Sequence, residues 1–207
     1  MYKKIIFLMA VSIILVPSIH AFSLRLNVPV AGSFEVEDCS ECSPKSGGYS
    51  IRGIFGMFGL GYAVGIFDYG YPSTSNTTDQ KIAANAVDLS ASFSFLTVGV
   101  GSVISGTLEG KYGYTTTENG STTVVDTKWE LDGAMTGATS FINFNFGIGP
   151  VDLLVGYRMW TTKFKPRLVG TVTQTYAGTT QTNSVEAAQS EANANFNQLT
   201  AGIDIGF

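Results

Sequence analysis

Charged residues are scarce in this 207-residue chain, and histidine is almost absent. Charged side chains make up 14% of the sequence, against about 25% in a typical soluble domain. The single histidine, His20, lies in an N-terminal segment that we expect to be removed. Hydrolysis and acyl transfer usually use histidine as the base, so a Ser-His-Asp type of site is excluded from the mature chain. We predict that the protein is not an enzyme and holds no cofactor and no metal.

The chain also lacks a basic surplus, a sustained helical period and long apolar runs beyond its start. Twelve basic residues stand against sixteen acidic ones, so nucleic-acid binding has no electrostatic basis. No later run approaches the ~20 apolar residues of a membrane helix. No proline-rich or charged linker divides the chain, which favours one folding unit.

The N-terminal segment has the form of a secretory signal peptide. Two lysines precede an apolar run from Ile5 to Val16, and a small residue, Ala21, ends the segment. We predict a cleaved signal peptide over 1–21 and a mature domain over 22–207; an uncleaved helical anchor is the alternative. Cleavage removes two of the twelve basic residues and none of the sixteen acidic ones, which leaves a formal net charge of −6.

What the mature chain has is an alternation of apolar with small or polar residues, as in β-strands. The last segment shows it most clearly, with apolar side chains at every second position and an aromatic at the end; these residues are Leu199, Ala201, Ile203, Ile205 and Phe207. The other strand-like segments are 24–30, 49–58, 61–71, 87–95, 97–112, 128–136 and 151–162. The sequence therefore predicts eight strands.

The predicted connections alternate between short and long. The short ones are 59–60, 95–97 and 147–151, and the long ones are 37–48, 72–80, 113–124 and 165–190. One rim should therefore carry tight turns and the other loops, including a turn at Asn119-Gly120. The polar face of the strands carries mainly Gly, Ser and Thr, which suits a narrow interior. We predict an all-β fold, a closed eight-stranded antiparallel up-and-down barrel; a soluble ligand-binding sandwich is the alternative.

With its leader, its eight alternating strands and its terminal aromatic strand, the chain resembles the small eight-stranded outer-membrane proteins of Gram-negative bacteria, of which the OmpA transmembrane domain and OmpX are familiar members. The resemblance implies a transmembrane barrel in the outer membrane. It also implies that the C-terminal strand ending in Phe207 is the signal read by the barrel-assembly machinery. We expect this machinery and membrane lipid as partners, and a monomer.

Charges that share the polar face of the strands are expected to line the lumen. They are Arg25, Arg52, Asp68, Asp88, Glu109, Lys111, Lys128, Glu130, Asp132, Arg158 and Asp204. Charges held away from water must be paired, so we predict a ladder of ion pairs that plugs the barrel, with Arg158 and Asp204 as one pair. The alternative is that the same charges line a narrow channel for ions or small solutes.

The first long connection is acidic and contains a C-x-x-C spacing formed by Cys39 and Cys42. In an oxidising compartment this spacing predicts a local disulfide; free thiols and metal capture are the alternatives. We expect the long connections, above all 37–48 and 165–190, to carry a structural or adhesin-like role by contacting an extracellular ligand. The polar composition of 165–190 also fits a merely mobile loop.

Overall fold

The computed structural model describes residues 22–34, 45–68, 80–148 and 151–207. Within these residues no helix is long and apolar enough to cross a membrane. The predicted signal peptide, 1–21, lies outside them. The secondary structure of the described residues consists of β-strands joined by turns and short irregular segments.

Twelve strands are formed by the described residues. They are β1 (Phe22–Phe34), β2 (Lys45–Phe55), β3 (Phe58–Asp68), β4 (Lys81–Phe93), β5 (Leu96–Glu109), β6 (Lys111–Glu118), β7 (Ser121–Leu131), β8 (Thr136–Ile148), β9 (Val151–Phe164), β10 (Pro166–Tyr176), β11 (Thr179–Ala188) and β12 (Ala192–Gly206).

Eight of these strands close into an antiparallel barrel in the order β1-β2-β3-β4-β5-β8-β9-β12. The barrel closes between its first and last strands, where Leu24 is opposite Ile205 and Arg25 is opposite Asp204. Each strand neighbours the next barrel strand in the chain, which is an up-and-down arrangement. The predicted closed eight-stranded barrel is confirmed, and the sandwich alternative is wrong.

The barrel strands alternate between outward-facing side chains, which are mainly apolar, and side chains that face the lumen, which are polar, small or part of a buried apolar cluster. In β9, Leu154, Arg158 and Trp160 are buried, whereas the odd-numbered residues from Leu153 to Met159 are 40–47% exposed. This alternation follows from the two-residue period of an extended chain. The lumen therefore receives the even-numbered side chains of β9.

The remaining four strands form a second sheet, here called the extended sheet, in the order β11-β10-β7-β6. It prolongs one side of the barrel wall, since β5 leads into β6 after Gly110 alone and β9 leads into β10 after Lys165 alone. Each junction is hydrogen-bonded to the end of β7. Trp129 N donates to Gly110 O, and Asp132 N, directly after β7, donates to Lys165 O. We call this end of the barrel the sheet rim, and the end that carries β1's start and β12's end the turn rim.

Two predicted long loops are wrong, because 113–124 and most of 165–190 form the hairpins β6–β7 and β10–β11. The predicted turn at Asn119 and Gly120 is confirmed, with φ angles of 50° and 75°. The second hairpin turns at Ala177 and Gly178, with φ angles of 51° and 82°. Positive φ at both central residues is the geometry of a tight two-residue hairpin turn, and alanine gives no sequence signal for it.

The predicted sixth strand, 128–136, is also wrong, since the barrel strand here is β8 and residues up to Leu131 belong to β7. The alternation of apolar and polar residues continues from the barrel into β7, because the inward-facing Trp129 and Leu131 of β7 pack against buried apolar residues of the barrel. The first tight turn lies at Gly56 and Met57, not at 59–60, and Gly56 there has a φ of 61°.

An apolar cluster fills the lumen next to the sheet rim. Its fully buried members include Phe67, Ile82, Met135, Trp160 and Phe196. Trp129 and Leu131 of β7 pack against it from the extended sheet. The same packing fixes the sheet on the barrel. Buried polar and charged residues occupy the rest of the lumen.

Candidate functional site

The buried charges of the lumen form two groups, of which the first is centred on Asp88. Its Oδ1 accepts hydrogen bonds from Arg52 Nη2 at 2.6 Å and Nε at 3.1 Å, and its Oδ2 accepts one from Arg158 Nη2 at 3.0 Å. All three residues are at most 4% exposed. One carboxylate between two guanidiniums leaves a surplus positive charge in a buried position.

The second group joins the two strands that close the barrel. Arg25 of β1 donates from Nε to Asp204 Oδ2 of β12 at 2.7 Å, and from Nη1 to the Thr97 hydroxyl. Arg25 and Arg52 are directly opposite across β1 and β2. Like charges in such positions repel, so the carboxylates of Asp88 and Asp204 are needed to hold both arginines inside.

Glycines on β3 and β5 provide the space that these side chains occupy. A Cβ at Gly61 would lie 2.4 Å from Asp88 Oδ1, and one at Gly101 would lie 2.7 Å from Asp88 Cβ. A Cβ at Gly99 would lie 2.3 Å from the Phe141 ring. The glycine-rich strands therefore do not line an open passage at this level, because side chains from other strands fill the room they leave.

The ring of Phe141 lies against both arginines of the first group. The guanidinium carbon of Arg52 is 3.9 Å from the ring centroid, and that of Arg158 is 4.6 Å away. A cation over an aromatic face is attracted by the ring quadrupole, which partly replaces the lost hydration of the guanidinium. Phe141 thus completes, from the β8 side, the layer of buried charges. We call this layer the polar layer; it consists of Arg25, Arg52, Asp88, Arg158, Asp204 and the Phe141 ring.

Between the polar layer and the sheet rim, three aromatic rings block the lumen. These rings belong to Phe67, Trp160 and Phe196, and we call them the aromatic plug. Phe67 stacks on Phe196 with ring centroids 3.9 Å apart, and Trp160 meets Phe67 edge-on at 6.1 Å. Trp160 Nε1 donates to Gln198 Oε1 at 2.8 Å. Gln198 Nε2 donates in turn to Ser46 Oγ and Gly47 O, both at 2.9 Å, so the plug is fixed to β2.

The ladder between β1 and β2 is short. Its six register pairs run from Phe22 opposite Phe55 to Asn27 opposite Ser50 and then stop. Pro29 follows on β1, and proline has no backbone N–H to donate. We call this region the seam.

The outer face of the extended sheet carries rows of hydroxyl groups. One row runs across all four strands and consists of Thr117, Thr122, Thr175 and Thr180. Within it, the hydroxyls of the first two residues are 3.2 Å apart and those of the last two 3.0 Å apart. In the next row Thr173 and Thr182 are 3.1 Å apart. Cross-strand threonine pairs of this kind stabilise an exposed sheet.

An ion-pair network lies on the extended sheet near the sheet rim. Glu130 contacts Lys128 Nζ at 2.6 Å and Arg167 Nη2 at 3.3 Å, and Arg167 also reaches Glu186 at 3.1 Å. The hydrogen bond from Lys128, with that from Arg167, lowers the pKa of Glu130 from its ordinary value of 4.5. Lys128 and Glu186 are exposed, and Glu130 and Arg167 are half-buried, so solvent screens the network and its contribution to stability is modest.

Solved structures to which this chain is similar include two outer-membrane proteins. The outer membrane protein AlkL, solved by solid-state NMR in DMPC lipid bilayers, is 15% identical with a TM-score of 0.42, over 91% of this chain and 90% of that one. The outer membrane protein OprG from Pseudomonas aeruginosa is 9% identical with a TM-score of 0.30, over 90% of this chain and 96% of that one. No family model and no curated protein matches the sequence.

The fold is a small eight-stranded barrel. Its closed antiparallel architecture confirms, at the level of the fold, the resemblance predicted from the sequence.

The eight-stranded barrel brings five of the predicted lumen charges together inside, and these are Arg25, Arg52, Asp88, Arg158 and Asp204. Their partners differ from the prediction. Arg158 pairs with Asp88, and Asp204 pairs with Arg25, so the predicted pair of Arg158 and Asp204 is wrong.

Three more predicted lumen charges, Lys128, Glu130 and Asp132, do not lie in the barrel. The first two are on β7 of the extended sheet and the third directly follows it. The prediction differs because it takes 128–136 as the sixth barrel strand, whereas that strand is β8.

The last three, Asp68, Glu109 and Lys111, do not point into the lumen. Asp68 has the outward parity of β3, opposite Lys45 and Lys81. On β5 an extra residue, Ile104, interrupts the pairing with β4. Such a bulge reverses the alternation, so Glu109 is exposed outside although the earlier odd-numbered residues face inward. Lys111 is exposed at the start of β6.

The aromatic plug and Gln198 are not among the residues predicted from the sequence. A signal was present, because Trp160 has the parity of Arg158 on β9 and Phe67 has the parity of Gly61 on β3. Aromatic residues at lumen positions near a rim indicate a plug.

The C-terminal residues Leu199, Ile203, Ile205 and Phe207 are 37–71% exposed on the outer surface. Ala201 shares their alternate positions along β12. Their role as an assembly signal stays a prediction. The predicted disulfide of Cys39 and Cys42 lies outside the described residues.

Proposed function

We propose that the protein is an integral outer-membrane barrel with a structural or surface-interaction role, which holds the extended sheet outside the membrane. The observation that carries this proposal is the direct continuation of the barrel wall into the sheet, with Gly110 and Lys165 as single-residue junctions. A sheet joined in this way moves with the barrel. It is a rigid display surface, in contrast to a mobile loop.

The outer surface of the barrel supports the membrane location. Leu26, Leu60, Leu89, Val100 and Leu153, on five different barrel strands, are 44–67% exposed. Water-soluble proteins rarely leave a large contiguous apolar surface uncovered. In lipid the same surface is favourable, and closing the sheet pairs the backbone groups that lipid cannot solvate.

The unequal rims support the orientation. The turn rim has the start of β1, the end of β12 and tight turns at Gly56–Met57 and Ser94–Phe95, while the sheet rim has both long hairpins. In bacterial outer-membrane barrels short turns face the periplasm and long connections face outward. The extended sheet would then lie on the cell surface, where its threonine hydroxyls could contact a polar ligand.

The blocked lumen favours this role over a channel. The polar layer and the aromatic plug fill successive levels of the barrel, and every member is at most 5% exposed. We propose no enzymatic activity for the same site, whose described ion pairs each join an arginine to a carboxylate. The channel alternative requires both layers to move. Assembly by the barrel-assembly machinery and a monomeric state belong to this proposal.

The display role is tested by placing an epitope in either of two turns of the chain expressed in a Gram-negative host. An insert between Ala177 and Gly178 should bind antibody on intact cells. The matched insert between Gly56 and Met57 should bind only after the outer membrane is permeabilised. Equal labelling of both on intact cells, or recovery of the protein without detergent, would contradict the membrane location and the orientation.

The scaffold and channel functions are separated by single-channel recording on the refolded mature chain in planar bilayers. We expect a folded, heat-modifiable and silent barrel. A triple variant with Phe67→Ala, Trp160→Ala and Phe196→Ala removes the plug and leaves the polar layer in place, so it should also be silent. Steady conductance of the unmodified protein that changes in Arg158→Ala would favour the channel function.

A further inference from the structure

Strand β11 forms one edge of the extended sheet. It pairs with β10 through ten consecutive register pairs, and no strand among the described residues lies on its other side. The first six residues of β11, 179–184, are all exposed. An edge strand of this kind presents a row of unpaired backbone N–H and C=O groups, which can form a ladder with a further strand.

The geometry of the β10–β11 hairpin shows which backbone groups face this edge. Its two-residue turn makes Tyr176 and Thr179 a hydrogen-bonded pair, and the two kinds of pair alternate from there. Thr180 and Thr182 then belong to non-hydrogen-bonded pairs, in which side chains lie closer together. The distances of 3.0 Å and 3.1 Å between their hydroxyls and those of the opposite threonines on β10 agree with this assignment. The backbone groups of Thr180, Thr182 and Ser184 therefore point away from β10.

The composition of β11 does not protect it against pairing with a further strand. Edge strands are commonly protected by proline, lysine or a bulge. Strand β11 contains no proline and no lysine, and its register with β10 has no shift. Its one charged residue is Glu186, near the sheet rim. The exposed part consists of Thr, Gln, Asn and Ser, whose side chains both donate and accept hydrogen bonds, so the segment is complementary to itself.

We propose that β11 pairs with β11 of a second copy of this chain, in an antiparallel register centred on Thr182. In this register Thr182 lies opposite Thr182 of the second copy, and Thr180 lies opposite Ser184 of the second copy. The hydroxyl rows on the outer face of the sheet then continue across the contact. Glu186 lies opposite Gly178 of the second copy, so no like charges meet.

The symmetry of this pairing places the two copies in different membranes. Two identical strands that pair antiparallel are related by a two-fold axis perpendicular to their sheet. Because the extended sheet prolongs the barrel wall, this axis lies in the plane of the membrane, and it inverts the second barrel. The two barrels therefore belong to two cells whose outer membranes face each other.

The register also sets the distance between the two barrels. Ala188, at the sheet rim, lies opposite Tyr176 of the second copy. The twelve positions from 176 to 188 then separate the two rims by about 40 Å, at about 3.4 Å per residue. Two outer membranes can approach this closely where their surface polysaccharide is short.

This proposal rests on the proposed display of the sheet at the cell surface and names its partner, which is the same sheet on a second cell. One ladder between two polar edges is weak, as an isolated pair of strands is only marginally stable in water. Many copies on two opposed cells bind together, so their combined affinity exceeds that of one pair. Within one membrane the protein stays a monomer.

The test is the clumping of Gram-negative cells that express the full chain in a host with truncated surface polysaccharide. Green and red cells that both express the chain should form mixed clumps and settle faster than cells with an empty vector. Green expressing cells mixed with red non-expressing cells should form clumps of green cells alone. Clumps that take up the non-expressing cells would overturn the proposal, because the sheet would then bind a different surface molecule.

A pair of proline variants assigns the contact to β11. Thr182→Pro removes an N–H that faces the edge and spares those that bond to β10, so it should reduce clumping to the level of the empty vector. Thr115→Pro is the matched control on β6, the opposite edge of the sheet. Counted from the turn at Asn119 and Gly120, its N–H also faces away from the neighbouring strand, and clumping should be unchanged. Equal clumping in the two variants would contradict a contact through β11.

Charges introduced at Thr182 test the register. Cells with Thr182→Lys alone, or with Thr182→Glu alone, should stay dispersed, because like charges then meet at the centre of the contact. A mixture of the two populations should clump, because opposite charges then meet. A mixture that stays dispersed would overturn the pairing centred on Thr182.

Surface display is measured in parallel on cells whose chain carries an epitope between Asn119 and Gly120, away from β11. An epitope that antibody does not reach on intact cells would refute the display role, and the self-pairing with it. An accessible epitope on cells that stay dispersed would refute the self-pairing alone. The two failures are therefore distinguishable.

Discussion

Asp88→Asn tests the polar layer most directly, because one carboxylate holds two buried guanidiniums. The variant keeps the shape of the side chain and removes its charge. Arg52 and Arg158, at 1% and 4% exposure, would then remain buried without a counter-charge. Removing one partner of a buried ion pair costs about 3–5 kcal/mol, much of it the penalty for the charge left behind. With a urea slope of about 2 kcal/mol per M, the unfolding midpoint should fall by about 2 M.

The assay is reversible urea unfolding in lipid vesicles, followed by tryptophan fluorescence. Trp160 lies close to the polar layer, with its ring centroid 5.5 Å from the guanidinium carbon of Arg158, so it reports on this region. Asp126→Asn is the matched control, because Asp126 is exposed on β7. A second variant, Asp88→Asn with Arg158→Gln, returns the net charge of the group from +2 to the original +1 and should recover part of the loss. An unchanged midpoint in Asp88→Asn would refute the reasoning that this carboxylate holds the layer together.

Three further predictions concern packing, turn geometry and pH. Gly61→Ala should destabilise the barrel by about 1–3 kcal/mol in the same unfolding assay, because the new Cβ would lie 2.4 Å from Asp88 Oδ1. Gly53→Ala is the control and should have little effect, because the nearest contacts of its new Cβ would be 3.4 Å long. Ala177→Asn should stabilise the β10–β11 hairpin by about 0.5–1 kcal/mol, seen as slower amide hydrogen exchange, because asparagine tolerates the φ of 51° better than alanine. The pKa of Glu130 is lowered in the folded sheet, so its contribution to stability is present above 4.5 and lost as the pH falls through the folded pKa. The protection factors for hydrogen exchange in β7 should therefore fall at acidic pH, and Glu130→Gln should remove that pH dependence.

The eight-stranded barrel could be predicted because its signals are local. Alternation has a two-residue period wherever a strand has one face in the lumen, so Leu199 to Phe207 and the segment from Val151 indicate strands without knowledge of their neighbours. The turn at Asn119 and Gly120 has the same local character, because its dihedral angles favour these two residues.

The errors arise where one residue changes the meaning of a pattern. The extra residue Ile104 on β5 reverses the alternation, which moves Glu109 from the lumen to the outside. The single-residue junctions Gly110 and Lys165 let two barrel strands continue into the extended sheet. The rim of the barrel therefore does not coincide with a change from strand-like to loop-like composition in the sequence. The alternation in a sequence shows that a segment is a strand, but it does not show which strand pairs with it.

The sequence by itself determined the class of the fold and the even number of barrel strands. It also determined that most apolar side chains of the strands face outward and that five buried charges face inward. Only the tertiary structure decided which charges meet. Arg158 and Asp88 are seventy positions apart, and their contact depends on the register of every ladder between β4 and β9. Register is a property of the closed barrel as a whole, since each ladder fixes the height of the next, and no local pattern of residues encodes it.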